Sequence, residues 1–341
     1  MDTTPPFRAL IAYGWSERVA ALYHSHLADR TTGPARVTRV ERTACTVVDA
    51  SGIERALPMA SPVAVGDWVV ATTDRLVAVL PRWSCLERQD PDSGNAQVFA
   101  ANVDLVLITI PADRPSPTRA ERELSLAWES GARPVVILTK CELAEEGLAE
   151  ELAARLVGAD LVATSADTGA GINKLAERIG HGQTAVLLGP SGAGKSTLTN
   201  ALLGEQRQAI APVRAEDRRG RHTTSSRQLL VLASGGVIID TPGLRSLGLM
   251  SVQGINEVFP DVEEYARSCR FRNCRHGNEP GCALTAAVAA GEVAKERVAS
   301  YVKLLGEAAH DQRRRDPLAK QEEGRGFRQR TRDARRHDKR V

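Results

Sequence analysis

At 341 residues the chain exceeds one ordinary domain, so two or three are expected, and its 42% apolar content is that of a soluble protein. It has no apolar run long enough to span a membrane, and its start lacks the basic-then-apolar order of a secretory signal, so a cytoplasmic protein with no membrane partner is expected. Net charge is only +3, but the basic excess gathers at 311–341, a tail that either binds a polyanion or solubilises the chain.

Residues 16–27 carry a short helical pattern, and Thr31-Thr32-Gly33-Pro34 signals a loop. Short strand patterns follow at 36–42, 45–48, 65–70 and 76–80, with a turn at 49–52. Such a set predicts a small OB-like β-barrel, a module that contacts either RNA or protein. From residue 102 strands alternate with helices. The continuous apolar run 103–110 reads as a buried parallel strand. A helix over 118–130, a strand over 134–138, a helix over 142–156, a strand over 161–164 and a helix over 171–179 continue a doubly wound α/β pattern.

The next unit carries most of the chemistry. An apolar run, 184–188, enters Gly189, Pro190, Ser191, Gly192, Ala193, Gly194, Lys195, Ser196 and Thr197, and a helix leaves over 196–203. This is the P-loop spacing in its strand-loop-helix context. Glycines let backbone N–H groups turn inward onto phosphate oxygens, and the helix adds the positive end of its dipole. Lys195 bridges the terminal phosphates and the Ser196 hydroxyl ligates Mg²⁺ in this reading. Strands at 228–232 and 236–240 follow, the second ending in Asp240-Thr241-Pro242-Gly243. Asp240 then holds an Mg²⁺-bound water, and the Gly243 N–H meets the terminal phosphate.

Base recognition precedes the P-loop. Thr139, Lys140, Cys141 and Glu142 follow a strand and match the N/T-K-x-D guanine signature, with a carboxylate that accepts from guanine N1–H and its amine. Thr164, Ser165 and Ala166 end the next strand, where the Ala166 N–H would meet guanine O6.

Of six cysteines, Cys45, Cys85 and Cys141 are scattered. Cys269, Cys274 and Cys282 instead cluster with His276, in a chain expected to be cytosolic. Three thiolates and an imidazole form a closed tetrahedral set, so one structural Zn²⁺ is expected. Arg270, Arg272 and Arg275 give that loop a basic face suited to RNA phosphate.

The order of motifs, with base-binding elements first, then P-loop, then Gly220-Arg221-His222-Thr223-Thr224, then D-T-P-G, resembles a circularly permuted GTPase. With a barrel before it and a Cys/His cluster after, the chain resembles the RsgA (YjeQ) family over roughly residues 35–310. The family usually has Asp where this chain has Glu142, and classical GTPases carry Asn where it has Thr139. The resemblance implies a GTPase that binds the small ribosomal subunit and its rRNA, acts late in its assembly, hydrolyses GTP to GDP when docked, and uses Mg²⁺ with the nucleotide. One of Thr223 and Thr224 would reach Mg²⁺. Leu244 cannot orient water as the Gln of Ras-like enzymes does, which leaves His222 as the catalytic candidate.

The expected layout is an N-terminal extension at 1–34, an OB-like barrel at 35–95 and a circularly permuted α/β GTPase domain at 96–248. A mainly helical zinc-binding domain at 249–312 and a disordered basic tail at 313–341 complete a multi-domain chain, expected to be a monomer. Two other classes fit part of the pattern: a P-loop ATPase or small-molecule kinase, and a non-catalytic RNA-binding scaffold.

Overall fold

The computed structural model describes residues 7–26, 32–59, 62–89, 96–204, 227–240, 252–277 and 279–315. His222, Thr223, Thr224, Gly243 and Leu244 lie outside them, as does the tail from residue 316. The chain forms two compact units, Met1–Arg88 with Gln97–Leu247, and Gln89–Ala96 with Gly248–Val341.

The first unit opens with α1 (Arg8–Ile11) and α2 (Glu17–Ser25). Ser16 caps α2, its hydroxyl accepting from the Val19 N–H at 3.5 Å. The strands β1 (Gly33–Val40), β2 (Ala44–Asp49), β3 (Glu54–Pro58), β4 (Trp68–Ala71) and β5 (Leu76–Val79) follow. They pair antiparallel in the order β3-β2-β1-β4-β5. β3 has no clear period-2 pattern, which is why the sequence does not announce it. Asp49 builds the turn before it, its carboxylate taking the Ser51 N–H at 2.9 Å and the Ile53 N–H at 3.1 Å. Val37, Val47, Leu57 and Val69 fill one face of these strands. Leu10, Val19 and Tyr23 cover the other face against Trp68 and Val70.

A two-stranded sheet of β6 (Cys85–Gln89) and β7 (Ala96–Ala101) precedes the α/β part. There β8 (Leu105–Pro111), α3 (Pro117–Glu129), β9 (Arg133–Thr139), α4 (Leu148–Arg155), β10 (Asp160–Thr164), α5 (Ile172–Ile179), β11 (Thr184–Leu188), α6 (Lys195–Leu203), β12 (Gln228–Val231) and β13 (Val237–Asp240) follow in turn. The helix expected over 142–156 starts later. Cys141–Leu143 is a single 3₁₀ turn, and Gly147, at φ 83°, leads into α4.

The sheet order is β10-β9-β8-β11-β13-β12, with only β12 antiparallel to its neighbour β13. β11 therefore sits at a switch point. Of the α/β strands, β8, β9 and β10 lie on one side of it and β12 and β13 on the other, the place where α/β sheets bind ligands. Leu105, Leu107, Val135, Ile137 and Ile238 are fully buried under α5 and α6, as parallel strands covered by helices require.

β1 also pairs with β12, through Arg39 and Gln228, so β1, β2 and β3 and the α/β strands form one continuous sheet. Arg36 reinforces the join. It is 1% exposed, donates to the Tyr13 carbonyl and, at 2.8 Å, to the Thr184 hydroxyl, and stacks on Trp68 with its guanidinium carbon 4.8 Å from the ring centre. Burial pulls this guanidinium down to about 10, with Asp104 and Asp67 pulling the other way. Asp104 in turn accepts from the Thr184 N–H at 2.8 Å.

The second unit carries α7 (Gln253–Val258), α8 (Pro260–Arg267), α9 (Ala283–Ala290) and α10 (Lys295–Arg315). Its core is built on Phe259, Val262, Leu284, Tyr301 and Leu304. Arg297 pins the α7–α8 corner. It donates to both Asp261 carboxylate oxygens at 2.6 Å and to the Val258 carbonyl at 2.9 Å, and lies over the Phe259 ring. No described helix is long and apolar enough to cross a membrane.

Candidate functional site

Parallel pairing fixes which loops meet. Pro111 is in register with Thr139, and Thr139 with Thr164, so the loops after β8, β9 and β10 leave the sheet side by side. β11 pairs with β8 through Leu188 and Ile108, which brings the P-loop out at the same edge. Asp240 ends β13 there as well.

The P-loop has the backbone its glycines predict. Gly192 and Gly194 have φ of 76° and 80°, and Gly194 immediately precedes α6. Gly189, at φ 142°, leaves no room for a side chain, because an added Cβ would lie 2.0 Å from the Thr109 hydroxyl oxygen. That hydroxyl donates to the Leu188 carbonyl at 2.9 Å and fixes the start of the loop. Ala193 is fully buried, and Ser191 and Ser196 are exposed. The Lys195 ammonium donates to the Gly189 carbonyl at 2.9 Å and the Pro190 carbonyl at 2.7 Å. Burial pushes the Asp240 carboxyl up, and the charge of Lys195 works against that push.

Thr139 ties the base loop to the phosphate loop. It is 4% exposed, and its hydroxyl donates to the Ala193 carbonyl at 2.8 Å. A hydroxyl thus makes a link across 54 residues of chain. Lys140 takes a left-handed conformation, φ 56°, and its ammonium meets Asp113 at 2.8 Å. The Lys140 partner holds the Asp113 carboxyl below the ordinary carboxylate range.

Between these loops is a cavity of 290 Å³. Thr139, Lys140 and Glu142 line it from the loop after β9, Thr164 and Ala166 from the loop after β10, and Gly194 and Thr197 from the start of α6. The loops after β9 and β10 and the start of α6 therefore share one cleft. Cys141 sits half-buried in the 3₁₀ turn, and Ser165 is buried, its N–H bound to the Ala170 carbonyl at 2.9 Å. Leu143, Asp167 and Leu198 also line the cavity, and the sequence reading missed them. Each is a near neighbour of a motif residue, which was the available signal.

In the second unit, Cys269, Cys274, His276 and Cys282 bring their ligand atoms within 4.8 Å of one another. Cys269 Sγ lies 4.0 Å from Cys282 Sγ and 3.5 Å from His276 Nδ1. Thiolates bound tetrahedrally at about 2.3 Å stand about 3.8 Å apart, so the set fits one Zn²⁺. Backbone N–H groups of His276 and Ala283 point at Cys274 Sγ and Cys269 Sγ at 3.4 Å, the support that thiolate ligands need. His276 reaches the set from a left-handed conformation, φ 59°.

The sequence profile of the RsgA GTPase family matches residues 79–250. The chain is 41% identical to the small ribosomal subunit biogenesis GTPase RsgA of Streptomyces coelicolor, over 93% of each chain. It is 43% identical to the protein of the same name from Xanthomonas axonopodis pv. citri, over 90% of this chain and 91% of the other. Among solved structures it is similar to YjeQ from Thermotoga maritima, with a TM-score of 0.61 and 27% identity, over 82% of this chain and 99% of the other. YloQ, described as a circularly permuted GTPase, shares the fold with a TM-score of 0.58 at 24% identity, over 84% of this chain and 98% of the other.

Proposed function

The chain belongs to the RsgA family of GTPases, hydrolysing GTP in small ribosomal subunit biogenesis, and from that premise we propose how its parts divide the work. The observation that carries the proposal is the shared cleft, with the Thr139 hydroxyl bound to the P-loop carbonyl of Ala193. Guanine occupies the 290 Å³ cavity, with Glu142 accepting from its Watson–Crick edge, Lys140 along the ring and the Ala166 N–H toward O6. Phosphates lie in the curl of Gly189–Thr197 (189–197), where Lys195 exchanges its carbonyl partners for phosphate oxygens. Ser196, Asp240 and one of Thr223 and Thr224 hold Mg²⁺, which supplies charge neutralisation at the phosphates when bound. The Gly243 N–H meets the γ-phosphate, and His222 orients the attacking water.

The domain division is 1–34, 35–95, 96–248, 249–312 and 313–341. Strands β1 to β5 follow the strand order of an OB-like barrel, which supports reading them as an rRNA-contacting module. The helical second unit is read as a zinc domain that also contacts rRNA, the tail as a salt-sensitive contribution to RNA affinity, and the chain as a cytoplasmic monomer.

Two measurements test the assignment. GTP turnover measured with and without small subunits should rise when they are present. ATP should compete poorly with GTP. Equal ATP and GTP affinity would favour a P-loop ATPase or kinase, and turnover that is absent even with subunits would favour a scaffold.

The metal should be structural. Cys274→Ser is expected to lose one equivalent of zinc and to weaken subunit binding. GTP binding should persist, because the P-loop belongs to the other compact unit. Zinc content, subunit co-sedimentation and nucleotide titration check this together. A metal-free preparation with full helical signal and full subunit binding would overturn it.

A further inference from the structure

Asp167 lines the 290 Å³ cavity together with Glu142. It is presented by a tight turn after β10. The Thr168 N–H donates to the Ser165 hydroxyl at 3.1 Å, the Gly169 N–H to the Ser165 carbonyl at 2.9 Å, and Gly169 takes φ 80°. None of these bonds uses the Asp167 side chain. Among the described residues neither Asp167 nor Glu142 has a hydrogen-bond or ion-pair partner. The nearest motif cation, Lys140, is committed to Asp113 at 2.8 Å. The cleft is therefore lined by two exposed acidic residues, carried on the neighbouring loops after β9 and β10.

A carboxylate is an acceptor only, and two of them in one small cavity repel unless donors lie between. The Watson–Crick edge of guanine carries three N–H donors, one at N1 and two on the exocyclic amine. A single carboxylate engages the N1–H and one amine N–H in a bidentate pair, and the second amine N–H remains. We propose that Asp167 is a specificity-determining residue that accepts this remaining N–H, so that the 2-amino group is read from both sides, by Glu142 and by Asp167. The inference rests on the assignment of the cavity to the base. It gives a physical role to the longer side chain at position 142: Glu142 reaches the N1 side of the edge while Asp167 covers the amine. Adenine, which has no 2-amino group and no N1–H, would meet two carboxylates with no donor for either, so discrimination includes rejection as well as attraction.

Nucleotides that differ at one group isolate the claim. Inosine triphosphate keeps the guanine N1–H and O6 but lacks the 2-amino group. Asp167→Ala removes the acceptor without touching the bonds that hold the turn. It should weaken GTP and GDP binding by about tenfold, as expected for a hydrogen bond to a charged acceptor, and leave inosine triphosphate affinity within about twofold. Asp167→Glu should recover part of the loss. Equal losses for GTP and inosine triphosphate would overturn the proposal, since they would show a general effect on the pocket, and so would no loss for either. If wild-type protein binds ATP as well as GTP, the base assignment itself fails, an outcome separate from any effect of Asp167→Ala.

Discussion

Gly189→Ala should weaken binding of GTP and GDP alike by about 100-fold, equivalent to about 3 kcal/mol. Two independent obstacles act at this position. Its φ of 142° is one that L side chains rarely adopt, and strain of this kind costs about 1–3 kcal/mol. The added Cβ would also meet the Thr109 hydroxyl oxygen at 2.0 Å and the Thr109 carbonyl oxygen at 2.9 Å. The loop must move away from β8, and every N–H that follows moves with it. Adding Thr109→Ala removes the nearer obstacle but leaves the carbonyl, so the double variant should recover only part of the affinity. Isothermal titration with both nucleotides, beside a thermal melt, separates lost binding from lost fold. Near-normal affinity in Gly189→Ala would mean that the phosphate loop does not need this curl.

His222→Ala should lower subunit-stimulated kcat by about 100-fold or more, with nucleotide affinity nearly unchanged. Leu244 follows D-T-P-G and cannot hydrogen-bond a water. His222 precedes the Thr223–Thr224 pair proposed to close over the γ-phosphate, and closure would carry the imidazole toward the attacking water. Basal turnover, measured without the subunit, should fall much less. Single-turnover hydrolysis with and without small subunits gives both numbers. If stimulated turnover survives, the water is positioned by backbone or by rRNA, and His222 has another task.

The parts of this fold that were legible in sequence are those in which one physical requirement dominates. β8 and β11 read as buried because both faces are covered and nearly every position is apolar, as in Leu105–Pro111, where Thr109 is the one polar residue. The P-loop was legible because the spacing of Gly189, Gly194 and Lys195 is dictated by the phosphate, and the metal set because four soft ligands lie within one short loop. What was not legible depends on pairing. β3 is a strand because β2 offers it a partner, and its own residues do not alternate. The helix expected from 142 starts at Leu148 because Lys140 turns left-handed, Cys141–Leu143 closes a single 3₁₀ turn, and Gly147 turns left-handed again before α4. Asp167 was passed over because its role depends on sharing a cleft with Glu142, and a linear reading gives no distance between loops.

Arg36 has a consequence for where this chain can be divided. Its guanidinium reaches from a barrel strand to Thr184 at the foot of the P-loop strand, and Arg39 on the same strand pairs with Gln228 on β12. A fragment cut to begin after the barrel would bare the outer edge of β12, an open template for a second chain. It would also leave the half-buried Asp104, bound to the Thr184 N–H, without the Arg36 charge beside it. The smallest piece that can be expected to fold as a nucleotide-binding body thus includes strands β1 to β5. Through the Arg36–Thr184 bond, β1 is tied directly to the strand that carries the phosphate loop.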